Sequence, residues 1–359
     1  MRVSISLRLA NEDWASAGAY VVEAERLGVD CVWSAEAWGH DAVTPLAFMA
    51  ARTSRIRLGT GIAQVGTRTP ALVAMTAMSI SAMSGNRFIL GLGVSGPQVI
   101  EGWHGLRFER PVLRMRETIE IVRRVIRGER LQYAGSVYEL PLAGGEGKAL
   151  RSAAQPRPDI PIYLATLTPT GMELTGALAD GWLGTSFMPE HADIFFEPLA
   201  VGAARAGRAV ADLDLHAGGV VAFSDDVAGL IGRRKPGVAF TLGAMGSRRR
   251  NFYNDAYRRA GYAEIAAEIQ RLWLEGRRDE AAAAVPDEIV SKTNFLGTED
   301  MVRRRIRAYR DAGITSLRVD PEGATLDQRL RTLGRLLDLV RAVDAEPRAD
   351  QISSRTSPR

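Results

Sequence analysis

The chain has 359 residues, 46% of them apolar, with 46 basic and 42 acidic side chains and a formal charge of +4. Cys31 is its single cysteine, which excludes an intrachain disulfide or a thiolate metal cluster, and no apolar stretch approaches the length of a membrane span. The arginines are interleaved with acids, as in Arg114-Met115-Arg116-Glu117, whereas nucleic-acid binding favours basic clusters among aromatics. Arg248-Arg249-Arg250 beside Phe252 and Tyr253 is the one such spot, and a small polyanion explains it equally well.

Met1 to Leu7 alternates like a strand and runs into Asn11, Glu12 and Asp13. It lacks the apolar core and cleavage site of a signal peptide, so the chain reads as a cytoplasmic enzyme. A strand over 3–9 is followed by an amphipathic helix over 13–27 that Gly28 ends. A strand at 30–35, a helix at 43–53, a strand at 56–62, a helix at 70–84 and a strand at 88–94 continue the alternation. A helix over 111–127 ends at Gly128, and 131–140 alternates around a Gly135-Ser136 turn, predicting a hairpin. The Gly- and Pro-rich stretch 141–161 is a loop. Strands at 160–165, 181–186 and 214–222 alternate with helices at 169–179 and 190–207. From 225 to 295 the pattern is helical, an insertion ending in an alanine run at 281–284. A strand at 314–319 precedes a helix at 325–342, and 345–359 reads as a disordered tail.

Eight strands alternating with helices predict a TIM barrel. It forms one domain over 1–344, with a hairpin and loop insertion near 129–160 and a helical insertion near 225–295. A doubly wound sheet is the rival, but its phosphate loop would open the chain rather than follow the fourth strand.

Gly91-Leu92-Gly93-Val94-Ser95-Gly96 matches G-x-G-x-x-G. A dinucleotide also needs a helix opening on the last glycine and an acid ending the next strand. Here Pro97 follows, and Glu117 and Glu120 fall inside a helix pattern. Two readings remain: glycines easing a tight turn, or bare backbone forming a cofactor face. Thr60-Gly61-Ile62-Ala63-Gln64 is either a plain strand end or a bulge on which a ring system rests.

Glu36 ends the second strand, where it either caps the next helix or hydrogen-bonds a cofactor. Thr166, Leu167 and Thr168 lead into Pro169 at a helix start, which is a phosphate seat or ordinary capping by Thr168. No H-E-x-x-H spacing and no G-x-S-x-G elbow occurs, so no metal site is expected. His104, in Glu101-Gly102-Trp103-His104-Gly105, is placed either to reach the site or to serve the loop's structure.

Several segments together resemble the luciferase-like monooxygenase superfamily of flavin and deazaflavin oxidoreductases, in particular its F420-dependent branch. They are Val32-Trp33-Ser34-Ala35-Glu36-Ala37-Trp38-Gly39-His40-Asp41, Leu58 to Ile62, Gly91 to Gln98, Glu101 to Gly105, Ala179-Asp180-Gly181-Trp182, and the insertion stretches around Met245-Gly246 and Asn251 to Asp255. The resemblance implies a TIM barrel with a non-prolyl cis peptide at Gly61–Ile62 beneath the deazaflavin. It places Glu36 near the ring, Gln64 and Ser95 near ring or ribityl groups, and Thr166, Leu167 and Thr168 around the phosphate. Gly96 and Ala165 complete the cofactor-binding set.

Where the family's sugar-phosphate dehydrogenases carry a histidine and a glutamate, this chain has Ala37 and Gly96. That turns the expectation away from sugar phosphates and towards members like methylene-tetrahydromethanopterin reductase. The expected activity is hydride transfer between F420 and a small organic substrate, with Glu101 and His104 as candidate proton donors. The alternatives are an FMN-dependent monooxygenase and a non-catalytic F420-binding protein. A homodimer is expected, with neither nucleic acid nor membrane as partner.

Overall fold

A computed structural model describes residues 1–7, 13–245 and 251–347. Eight parallel strands close on themselves: β1 (Arg2–Ser6), β2 (Cys31–Ser34), β3 (Arg57–Thr60), β4 (Phe88–Gly93), β5 (Ile162–Ala165), β6 (Gly181–Leu183), β7 (Asp214–Ala217) and β8 (Ser316–Pro321). Each pairs with its neighbour in sequence, and β1 pairs with β8 to complete a TIM barrel. Both faces of such strands are covered, which is why β4 is buried at every position.

The helices between strands start where the sequence supplies caps. Thr69 and Thr168 each accept a hydrogen bond from the backbone three residues on, and each precedes a proline at the first helical position. Gly28 ends the first helix with φ of 94°, a left-handed cap that glycine adopts without cost.

Rings from non-adjacent strands meet inside the barrel. Trp33 of β2 lies 5.9 Å from Tyr163 of β5 and 5.3 Å from His216 of β7, centroid to centroid. Burial pushes the thiol of Cys31, also inside, well above its ordinary range, so it is an inert packing group. A larger apolar layer fills the space between the strands and the outer helices.

Two insertions depart from the alternation. Tyr133–Ala134 pairs with Glu139–Leu140 as an antiparallel hairpin. The buried Glu117 carboxylate pins it by accepting from the backbone of Ser136, Val137 and Tyr138. Helices between Val227 and Thr293 surround an apolar core of their own.

The predicted strand 214–222 is broken at Gly218–Gly219. A Cβ on Gly218 would meet the Arg318 carbonyl oxygen at 2.2 Å, and one on Gly219 would meet that of Thr293 at 2.2 Å. Beyond the break, Val220–Phe223 pairs with β8 and with Phe295–Gly297, a strand the sequence reading lacks. The helix Glu299–Asp311 is a further addition. The first strand ends at Ser6, short of the predicted 9, and 8–9 lie outside the described residues. Most of the expected disordered tail, 348–359, also lies outside them. Among the described residues no helix is long and apolar enough to cross a membrane.

Candidate active site

In parallel barrels the carboxyl ends of the strands carry the chemistry. Here β3 stops at Thr60, two residues before the predicted end, and the Gly61–Ile62 peptide is cis. The chain then rejoins the sheet as Ala63–Gln64, paired with Leu92–Gly93 of β4. The Thr60 hydroxyl bridges the gap, donating to the Gly91 carbonyl at 2.7 Å and accepting from the Gly91 N–H at 2.9 Å.

The glycines around this turn make room for particular groups. A Cβ on Gly91 would sit 1.8 Å from the Thr60 carbonyl oxygen, and one on Gly59 would sit 2.1 Å from the Trp33 ring. A Cβ on Gly61 would point at Trp33 Cβ, 3.1 Å away, and one on Gly93 would meet the Ile62 side chain at 2.6 Å. The floor of the mouth is therefore built from Trp33 and Ile62 seated over glycines.

Glu36, just beyond β2, is half-buried, with its side chain turned inwards. Its carboxylate accepts the Ala42 N–H at 3.0 Å and the Gln64 N–H at 2.8 Å, and both Nη atoms of Arg68 donate to it. The Gln64 amide Nε2 reaches the carbonyls of Glu36 and Ala37, both at 3.4 Å. Its Oε1 is buried with no partner in the protein. A buried acceptor left unpaired is costly, so the site calls for an N–H or O–H donor.

Past β4, Ser95 adopts φ of 59°, uncommon for a residue with a side chain, and Gly96 opens the short helix Pro97–Ile100. Glu101 and His104 are exposed on the following turn, where the Glu101 carboxylate accepts the Phe108 N–H at 3.1 Å.

Past β5 and Ala165, the Thr166 hydroxyl shares a 2.7 Å bond with that of Thr175, while its carbonyl accepts from Trp182 Nε1 at 3.0 Å. The Thr168 hydroxyl accepts the Gly171 N–H at 3.2 Å, capping the helix Pro169–Leu178. Arg259 of the insertion donates to the Leu167 carbonyl and, at 2.9 Å, to that of Ile194. A positive charge thus stands beside a helix N-terminus. Phe252 of the insertion packs 6.4 Å from Phe108, centroid to centroid, so the insertion meets the loops beyond both β4 and β5. Burial pushes the Tyr257 phenol beneath it up to about 12, against the Ser186 hydroxyl.

The structure thus gathers Glu36, Gly61, Ile62 and Gln64 at one edge of the mouth and Ala165, Thr166, Leu167 and Thr168 at the exit of β5. Ser95 and Gly96 leave β4, the strand between them. Arg68 and Arg259 escaped the sequence reading. Neither sits in a recognisable motif, and each acts on a partner far away in the chain. Among the described residues no group of three or more His, Cys, Asp or Glu is placed to hold a metal ion.

A second titratable cluster lies at the barrel's other end. Asp214, at the start of β7, pairs with Arg2, lies 3.7 Å from Arg57, and accepts from the hydroxyls of Tyr163 at 2.6 Å and Thr315 at 2.5 Å. His216 Nε2 stands 2.9 Å from it. Burial alone would raise the Asp214 pKa, but the adjacent His216 and the bonds from Thr315 and Tyr163 outweigh it and hold the carboxyl well below its usual range. For His216 burial wins over Asp214 and lowers the pKa, so the ring is held neutral.

On the outer face, a cavity of about 480 Å³ opens between the helix Pro70–Met83 and the stretch around Leu140, Pro141 and Leu150. Leu72, Met75 and Met83 are exposed along one side of that helix.

The sequence model of the luciferase-like monooxygenase family matches residues 1–316. A Mycobacterium tuberculosis protein named "Putative coenzyme F420-dependent oxidoreductase Rv3520c" is 42% identical over 325 residues, covering 88% of this chain and 93% of its own. The 5,10-methylenetetrahydromethanopterin reductase of Methanolobus tindarius is 28% identical over 318 residues, covering 88% and 93%. The solved structure of the coenzyme F420-dependent tetrahydromethanopterin reductase from Methanopyrus kandleri superposes with a TM-score of 0.78 at 22% identity, covering 95% of this chain and 98% of that one.

Proposed function

We propose, from the premise that this chain belongs to the luciferase-like monooxygenase family, that it is an F420-dependent oxidoreductase acting on a small organic substrate. The observation that carries the reading is the buried, unpaired Oε1 of Gln64 at the mouth. F420 has a ring N–H and ribityl hydroxyls, and either would be the donor this acceptor lacks. When bound, the coenzyme supplies the hydride chemistry at its deazaflavin ring. The protein's part is to hold and orient it.

Gly61 and Ile62 offer a floor and Gln64 an acceptor, with Ser95 and Gly96 along the edge. Thr166, Leu167 and Thr168 would seat the phosphate at the helix N-terminus, with the Arg259 charge beside them. The insertion, tied down through Arg259 and Phe252, excludes water from the reacting groups. Glu101 and His104, exposed on the rim, are the candidates for a proton transfer that accompanies substrate reduction.

Binding decides the matter. Purified protein should quench F420 fluorescence on binding and leave FMN free, and should exchange hydride with a reducible substrate. FMN binding without F420 binding would instead make it an FMN-dependent monooxygenase. Tight F420 binding with no hydride exchange would make it a carrier of the coenzyme.

We place the protein in the cytoplasm, since its one cysteine is buried and makes no disulfide. We also propose a homodimer joined through the helix Pro70–Met83. Leu72, Met75 and Met83 are 48%, 56% and 60% exposed there, and soluble proteins seldom leave such a strip uncovered. Met75→Glu should convert a dimer to a monomer in light scattering; a wild-type monomer sinks the proposal.

A further inference from the structure

Glu36 collects donors from three separate segments: Ala42 ahead of the second helix, Gln64 just past the cis peptide, and Arg68 in the loop before Pro70. Its side chain is only 6% exposed, and that of Arg68 20%. Two backbone N–H groups alone would leave the buried charge poorly compensated, so the guanidinium is what lets a carboxylate sit there. Both Arg68 Nη atoms reach it, one to each oxygen, a two-pronged fit that fixes orientation as well as charge.

The carboxylate is in turn tied to Gln64 at two levels. It accepts the Gln64 backbone N–H, while the Glu36 main-chain carbonyl takes the Gln64 side-chain amide. The Gln64 amide group is thereby turned with its NH₂ towards the exit of β2, and its unpaired Oε1 away from those carbonyls. The Thr67 hydroxyl holds the Gln64 carbonyl at 3.3 Å on the way to Arg68.

We infer that Arg68 is a positioning residue which, through Glu36, sets the Gln64 backbone and aims its free Oε1 at the coenzyme. This rests on the F420 reading above. Glu36 thus serves the site from behind, its carboxylate being spoken for by protein donors. Both Arg68 Nη atoms are taken up by Glu36, so its role is exerted through that carboxylate. A lysine could not replace it in full, because a single ammonium cannot bond both oxygens in the plane of the carboxylate.

The test uses the full-length protein in three forms, Arg68→Gln, Arg68→Lys and Gln64→Leu, with the double variant Arg68→Gln/Gln64→Leu. In ligand-free protein, Arg68→Gln should speed hydrogen exchange at the Gln64 and Ala42 amides while amides within β5 and β6 stay protected. It should raise the F420 Kd by about tenfold, the scale of one lost hydrogen bond. Arg68→Lys, which keeps the charge and hence the fold, should fall between wild type and Arg68→Gln.

The double variant separates positioning from general support: it should bind F420 no worse than the weaker of its two parents. Full additivity, or an unchanged Kd for Arg68→Gln, overturns the inference. Failure of the wild type to bind F420 would sink the coenzyme reading instead. The exchange rates then decide for or against the link between Arg68 and Gln64 on their own, and unchanged exchange at Gln64 refutes it.

Discussion

The barrel holds a largely buried carboxylate at each end, and the two are built differently. At the mouth, Glu36 is bonded by Arg68 and by backbone from loops next to one another in space. At the floor, Asp214 is gripped by Arg2, Tyr163 and Thr315, with Arg57 and His216 close by, so that four other strands or strand ends converge on one side chain. The floor network locks strands to strands. The mouth network locks a loop to a loop and leaves one acceptor, Gln64 Oε1, free. In parallel barrels the amino end is where residues serve stability and the carboxyl end where they serve ligands. The same chemical device thus does different work according to which end it occupies.

The sharpest way to break the contrast is at the floor. Asp214→Ala leaves the buried Tyr163 hydroxyl without its acceptor and takes a partner from Arg2 and Thr315, and should cost about 3 kcal/mol in urea unfolding, while the folded fraction keeps its F420 affinity. Loss of affinity with little loss of stability would reverse the assignment of the two ends.

The glycines give a second contrast. Gly59→Ala drives a methyl into the Trp33 ring, 2.1 Å from the ideal position, and should cost about 1–3 kcal/mol by overpacking. Gly93→Ala meets the Ile62 side chain at Cγ1, 2.6 Å away, instead. The Ile62 side chain can shift into the mouth, so that variant should unfold more nearly like the wild type but bind F420 about tenfold more weakly, about 1.4 kcal/mol. Equal effects of the two variants on binding would show that both glycines serve packing alone.

The smallest expected effect is on pH. Asp214 and His216 both have pKa values lowered by folding. Between its folded and unfolded pKa, each binds more protons in the unfolded chain, so stability rises with pH across that window. The His216 contribution is complete above its ordinary value of about 6.5, and that of Asp214 above about 4; each is lost as pH falls below these. The urea midpoint should decline from near neutrality downwards, and His216→Asn should flatten the upper part of that decline. A wild-type midpoint level between pH 7 and 5 would contradict it.

The alternation of apolar runs and capped helices made the barrel legible, because each signal lies within a few residues. Thr69-Pro70 and Thr168-Pro169 announce their helices unaided. What stayed hidden depends on distance. Glu36 was visible as an acid ending a strand, but its partner Arg68 lies 32 residues on, in Gly66-Thr67-Arg68-Thr69, which carries no pattern. The glycines of β3 and β4 were visible too, yet their purpose was not. That Gly59 makes way for Trp33 and Gly93 for Ile62 follows only once the strands are adjacent. The break at Gly218–Gly219 was illegible for the same reason, since the groups that require it are the carbonyls of Arg318 and Thr293.

That break has a consequence for how such a molecule diversifies. Because Val220–Phe223 pairs with β8 on one side and Phe295–Gly297 on the other, the helical insertion departs and returns on two hydrogen-bonded strands lying side by side. Most of its apolar core is its own, although Ala256, Phe252 and Tyr253 pack with the barrel's. It is attached like a cassette on a two-pronged plug, and one cap could be exchanged for another without re-registering β7 or β8. A lineage or an engineer could then rewrite what the enzyme accepts, provided the new cap restores the Arg259 contact with the exit of β5.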